Sequence, residues 1–121
     1  MKIKLLATGQ SPDYYEFDGE VITAHKDGVS EVYDLSSFPV DGKFTSADPV
    51  NGVPAIRTVT RGSDGELHVT LCQQVGPGHW SESGWMDSGD YDPDAVHVVR
   101  DSNKPHAGKP WAKTRQGNVE A

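Results

Sequence analysis

The stretch Glu20-Val-Ile-Thr-Ala-His-Lys26, Asp27-Gly28, Val29-Ser-Glu-Val-Tyr-Asp-Leu35 decides the fold class. Two short runs rich in β-branched and aromatic residues flank an Asp-Gly pair. That pair suits a type I′ turn, in which both central residues take positive φ. A two-residue loop sets Ile22 opposite Tyr33 and Thr23 opposite Val32. Tyr33 and Leu35 then share a face with Ile22, which gives the hairpin an apolar side.

The same grammar continues outward. Lys2 to Ala7 and Tyr14 to Phe17 read as strands, separated by the turn-prone Ser11-Pro12-Asp13. Ala55 to Arg61 and Glu66 to Val75 form a second predicted hairpin, closed by Gly62-Ser63-Asp64-Gly65. In its second arm Leu67, Val69, Leu71 and Val75 alternate with His68, Thr70, Cys72 and Gln74, the mark of a half-buried strand. Residues 36–54 read as a surface connection in which Lys43-Phe44-Thr45 is a candidate edge strand. Residues 76–93 read as a long loop, followed by a helical turn at Asp94-Ala95 and a last strand over Val96 to Arg100. No window of eleven or more residues carries a helical apolar period without a Gly or Pro inside it. The expectation is an all-β domain over 1–100, with five to seven short strands in a small antiparallel sandwich or partly open barrel. Its core is expected from Tyr14, Phe17, Ile22, Tyr33, Leu35, Ile56, Val59, Leu67, Val69, Leu71 and Val98.

After Asp101 the composition turns polar, and residues 101–121 read as an extended, non-helical C-terminal tail. Lys104-Pro105 and Lys109-Pro110 form a pseudo-repeat within it. Charge divides along the same boundary. Residues 1–100 hold seven basic and sixteen acidic residues (−9), and residues 101–121 hold four basic and two acidic (+2). The overall charge of −7 argues against non-specific nucleic-acid binding.

The 121 residues suit about one domain, and 35% hydrophobic residues predict a small core with long loops. The lone Cys72 excludes an intrachain disulfide, so the fold suits a reducing compartment. The apolar run at Ile3, Leu5, Leu6 and Ala7 is too short for a signal-peptide core. No stretch approaches the roughly 18 apolar residues of a spanning helix. The expected location is a cytoplasm.

Catalytic patterns are incomplete. Asp90-x-Asp92-x-Asp94 copies the first three ligand positions of a calcium loop, and Asp101 falls at the twelfth. Ala95, however, occupies the position that wants Gly, and Pro93 stiffens the loop. Asp90, Asp92 and Asp94 are therefore weak metal candidates, and a solvated turn capped by its own carboxylates is the competing reading. The five histidines lack zinc spacing, and His68 and Cys72 on one strand stand about 13 Å apart. Cys72, mid-strand, reads as a packing residue rather than a nucleophile. Ser81 and Ser83 near His79 lack the nucleophile elbow. Gly76-Pro77-Gly78 lacks the Lys and following helix of a phosphate loop. No cofactor is expected.

The aromatics remain. Trp80 and Trp85 lie in a Gly/Ser-rich loop, Tyr91 follows, and Trp111 sits in the tail. Tryptophan is costly to leave in water and is enriched at binding hot spots. Trp80, Trp85, Tyr91 and Trp111 are thus the candidate protein-binding residues. In the competing reading Trp80 and Trp85 fold back as lids over a small core. Trp111, between Pro110 and two lysines, docks onto something: its own domain, a second copy or another protein.

Several phrases carry a resemblance: MKIKLLATG (1–9), YYEFDGEVITA (14–24), YDLSSFP (33–39), GELHVTLCQQVGPGHW (65–80) and YDPDAVHVVR (91–100). They resemble small proteins encoded by tailed phages and prophages among late structural genes near the tail. The resemblance is one of order and wording, not of a catalytic motif, so no functional residue carries over. It implies a bacterial host cytoplasm or the virion as the setting. The leading expectation is a non-enzymatic accessory or structural protein that binds a phage or host protein through residues 76–93 and 101–121, with no direct nucleic-acid or membrane partner. Two alternatives stand beside it: an acidic host-takeover inhibitor that occupies a host nucleic-acid-binding protein, and a small metal-dependent hydrolase using the Asp87–Asp94 loop. Edge-strand pairing into a homodimer is a further option.

Overall fold

The structure is a computed structural model and describes residues 1–101 and 108–120. Lys104, Pro105 and His106 lie outside the described residues. The described chain is all-β, with a single 3-10 turn at Ser88–Asp90. The strands are β1 (Lys2–Thr8), β2 (Tyr14–Asp18), β3 (Val21–Lys26), β4 (Val29–Asp34), β5 (Ile56–Arg61), β6 (Leu67–Gln74), β7 (His79–Trp80), β8 (Met86–Asp87), β9 (Arg100–Asp101), β10 (Trp111–Thr114) and β11 (Gly117–Glu120).

These strands form small sheets of order β5-β6-β1-β8, β2-β3-β4, β7-β9 and β10-β11, and none closes into a barrel. The Asp27-Gly28 turn takes positive φ at both residues (50° and 80°), and Ile22 faces Tyr33 as the turn type demands. Among the described residues every strand pairing is antiparallel except one. β1 runs parallel to β6, from Lys2↔His68 to Thr8↔Gln74, which departs from the purely antiparallel expectation. The four-stranded sheet is therefore mixed, and β6 lies inside it with neighbours on both sides.

That position explains the burial of β6. Leu67, Val69 and Leu71 are fully buried as the alternation predicts, but Thr70, Cys72 and Gln73 are buried too. The strand is not half-buried, because both of its faces are covered. One core cluster joins Ile3, Leu5, Val59, Val69 and Leu71 of the large sheet to Tyr15, Ile22, Ala24 and Tyr33 of the β2-β3-β4 sheet. Tyr15, not Tyr14, enters the core. Tyr15 and Phe17 share a face by strand alternation, and Tyr14 points the other way, where it stacks on His25 at 4.4 Å. Phe17 and Leu35 are partly buried against the cluster rather than inside it.

Two predicted strands do not form. Lys43-Phe44-Thr45 pairs with nothing and lies beside β5. In residues 96–100 only Arg100 pairs, in β9 against β7. The His97 and Val98 N–H groups donate to the side-chain Oε1 of Gln73 (3.0 and 3.3 Å) instead of to a neighbouring strand. Val98 is nonetheless buried.

The C-terminal segment is extended as expected, but it is folded into a β10-β11 hairpin against the body. Val75, just past β6, bridges Ala112, and Ala112 and Thr114 are buried. The Gly76 N–H donates to the Trp111 carbonyl (2.9 Å). Gln73 clamps the same region: its Nε2 donates to the carbonyls of Ala95 (3.2 Å) and Lys113 (3.1 Å).

Candidate functional site

The docked hairpin brings residue 115 beside β2 and the loop after β8, and a cleft of about 340 Å³ opens between them. Tyr14, Tyr15, Glu16 and Phe17 of β2 line it on one side, and Ser88, Gly89, Tyr91, Pro93 and Arg115 on the other. Each wall has a local cause. Tyr14 is on the outward face of β2. Tyr91 follows the 3-10 turn and is locked in place: its hydroxyl accepts the Tyr15 N–H (3.2 Å), and its ring meets Tyr15 and Phe17 edge-on and lies against His97. Burial pushes the Tyr91 phenol far above its ordinary value, so it stays neutral.

Arg115 comes from the β10-β11 turn. Its guanidinium grips Asp94 through Nε (3.0 Å) and Nη2 (2.6 Å) and lies 5.7 Å from the Tyr14 ring. The Arg115 hydrogen bond holds the Asp94 carboxyl below the usual range. The Arg115 N–H donates to the Pro93 carbonyl (2.8 Å), which ties the hairpin to the 91–95 loop. The cleft is thus lined by aromatic rings, with the Asp94-held cation of Arg115 and the carboxylate of Glu16 among its lining residues. Such a surface offers stacking and cation–π contacts, while the Nε and Nη2 edge of the guanidinium is taken by Asp94.

Of the four sequence-predicted binding residues, only Tyr91 lines this cleft. Trp80 is partly buried against the core, and its indole N–H donates to the carbonyls of Gly76 (3.0 Å) and Pro77 (3.2 Å). Trp111 packs against Gly76 so closely that a Cβ there would lie 2.0 Å from the indole nitrogen. Trp85 is the exposed one, at 48% of its surface. Its loop is stitched to β1, because the Ser83 N–H donates to the Leu5 carbonyl (2.8 Å) and the Ser83 Oγ accepts the Leu5 N–H (2.9 Å). Trp85 then stands edge-on to His68 under the Lys4 ammonium, 4.7 Å from its ring centre. Trp80 and Trp85 therefore divide between the lid and surface readings.

Tyr14, Phe17, Pro93 and Arg115 were not among the candidates. Tyr14 and Phe17 lie on opposite faces of β2, and alternation along the strand does not group them. Arg115 carried no signal, because only the fold brings it to residue 14.

Two of the three candidate metal ligands, Asp92 and Asp94, are otherwise engaged. The Asp92 Oδ1 accepts the Asp94 N–H (2.9 Å), and Asp94 is held by Arg115. Asp90 is exposed. Among the described residues no three His, Cys, Asp or Glu side chains converge on a metal position. Cys72 is buried, and burial pushes its thiol up. No helix of the described chain is long and apolar enough to cross a membrane. No family model, curated protein or solved structure matches the chain.

Proposed function

We propose that this chain is a non-enzymatic binding protein that holds an extended segment of another protein in the aromatic cleft. The observation that carries the reading is the cleft itself, with Tyr14, Phe17, Tyr91 and Pro93 beside the fixed guanidinium of Arg115. Aromatic-lined grooves of this kind suit extended, Pro-containing peptides, which lose little entropy on docking. The non-enzymatic reading is supported by the state of the possible nucleophiles. Cys72 is buried with its thiol raised, and the Ser83 hydroxyl is spent on the Leu5 N–H and the Gly84 carbonyl. The setting, an accessory or structural role in tailed-phage or prophage assembly, rests on the resemblance of the sequence phrases.

The test is chemical cross-linking in phage-producing cells followed by capture and mass spectrometry, comparing wild type with Tyr14→Ala. Tyr14 is not part of the core, so the variant should fold. One or a few phage structural proteins recovered with wild type and lost with Tyr14→Ala supports the reading. Equal recovery with both removes the cleft from the interface. A product of enzymatic turnover, or no protein partner at all, overturns the binding role.

A further inference from the structure

A second surface, separate from the aromatic cleft, lies along β5. β5 is the outer strand of its sheet, and among the described residues no other segment pairs with its free side. A cleft of about 300 Å³ runs there between residues 42–45 and residues 57–60. Consecutive residues of β5 line it, from Arg57 through Thr60. A cleft over one face of a strand would be lined by alternate residues, so this one follows the strand edge. Arg57 is the extra residue of a β-bulge, since Ile56 pairs with Leu71 and Thr58 with Thr70. Bulges re-aim the side chain they carry.

The charges at this edge are unusual for the molecule. Lys2, Lys4, Lys26, Arg61, Lys109, Lys113 and Arg115 are each ion-paired with a carboxylate. Among the described residues Lys43 and Arg57 have no such partner, although the chain carries 18 acidic residues. Both line the same cleft. An open strand edge supplies main-chain donors and acceptors in register for an added strand, and the flanking side chains select its sequence.

We propose that the β5 edge takes an extended acidic segment of another protein as an added strand, with Lys43 and Arg57 reading its carboxylates. Pairing of two copies through this edge is disfavoured, because it would gather the Lys43 and Arg57 of both chains in one seam.

The experiment is amide NMR on the full chain at about 0.15 M salt, where distant carboxylates are screened beyond roughly 8 Å. One probe is a capped octapeptide of alternating Glu and Val, and the other is its Lys and Val counterpart. The acidic peptide should shift the amides of residues 42–45 and 57–60 and leave those of Tyr14, Phe17 and Tyr91 unchanged. Lys43→Glu with Arg57→Glu should weaken it by about tenfold or more, and the Gln pair by less, the order expected when two charge contacts are reversed or only removed. A well-dispersed spectrum of the Gln pair keeps the comparison valid if the Glu pair unfolds.

Several results overturn the proposal. These are no shift at the β5 edge at millimolar acidic peptide, equal binding of the basic peptide, or shifts confined to the aromatic cleft. So does light scattering that shows a dimer dispersed by the charge reversal, because the occupant is then a second copy. Loss of the aromatic-cleft reading leaves each of these outcomes unaffected.

Discussion

Tyr15→Phe removes one oxygen atom and should destabilise this protein far more than an ordinary lost hydrogen bond. The Tyr15 side chain is buried, and its hydroxyl meets β6 at Cys72, donating to the Cys72 carbonyl (2.7 Å) and accepting the Cys72 N–H (3.0 Å). β5 reaches only to Ile56, opposite Leu71, so at the next residue of β6 the phenol stands where a strand neighbour would be. Phe leaves a buried N–H and a buried C=O without partners. At about 1–3 kcal/mol for each unsatisfied buried group, the expected cost is about 2–6 kcal/mol. A domain of this size has roughly 5–15 kcal/mol in all. Tyr33→Phe is the internal control. The Tyr33 hydroxyl donates once, to the Asp48 carbonyl (2.5 Å), in a partly exposed position that water can refill. Its cost should be about 0.5–1.5 kcal/mol. Urea unfolding followed by far-ultraviolet circular dichroism measures both. With a slope of about 2 kcal/mol/M, the Tyr15→Phe midpoint falls by about 1–3 M. A Tyr15→Phe cost no larger than that of Tyr33→Phe refutes the reasoning, because the phenol is then not acting as a strand partner.

Two further outcomes follow from the docked hairpin and from Asp13. Gly76→Ala puts a Cβ 2.0 Å from the Trp111 indole nitrogen, so the ring must move, at a cost of about 1–3 kcal/mol. Combined with Trp111→Ala the substitution should cost almost nothing extra; additive effects in urea unfolding would sink the idea. Burial pushes the Asp13 carboxyl up, but the Lys113 ammonium at 2.8 Å, the Asp27 N–H at 2.9 Å and Lys26 outweigh it and hold the group below its ordinary value. A depressed folded pKa contributes stability that is fully present above the unfolded value of about 4 and is lost as pH falls through the folded one. The stability gap between wild type and Asp13→Asn should therefore be about 1–2 kcal/mol near pH 7 and shrink below pH 4. A gap that stays constant from pH 7 to pH 3 would contradict this.

What the sequence revealed was local. Asp27-Gly28 sets its own turn and, through it, the register of β3 and β4, so that hairpin could be read residue by residue. The parallel pairing of β1 with β6 joins Lys2 to His68, and nothing near either residue encodes it. The alternation of Ile3 and Leu5 tells that β1 buries a face but not which strand it meets. Tyr14 and Tyr15 differ only in parity, and parity depends on where β2 begins. Trp111 was legible as a residue that docks. Its partner was not, because Gly76 shows its purpose only when the indole is seen against its missing side chain. The aromatic cleft draws on three segments, around residues 14–17, 88–93 and 115, and only Tyr91 stood out beforehand.

Low apolar content also explains why the irregular segments hold their shape. With 35% hydrophobic residues, apolar burial cannot pin every loop, and polar side chains reach the backbone instead. Gln73 binds four backbone groups across residues 95–98 and 113. Arg61 reaches the carbonyls of Phe38, Leu35 and Gly65 while paired with Glu20. Ser83 fastens its loop to β1, and the Ser11 Oγ accepts the Gln74 N–H (2.8 Å). Each of these groups is committed to the fold, so substituting it tests stability and not recognition. Tyr14, Trp85, Lys43 and Arg57 make no comparable backbone anchor and face solvent or a cleft. They are the positions at which a loss of binding can be separated from a loss of structure.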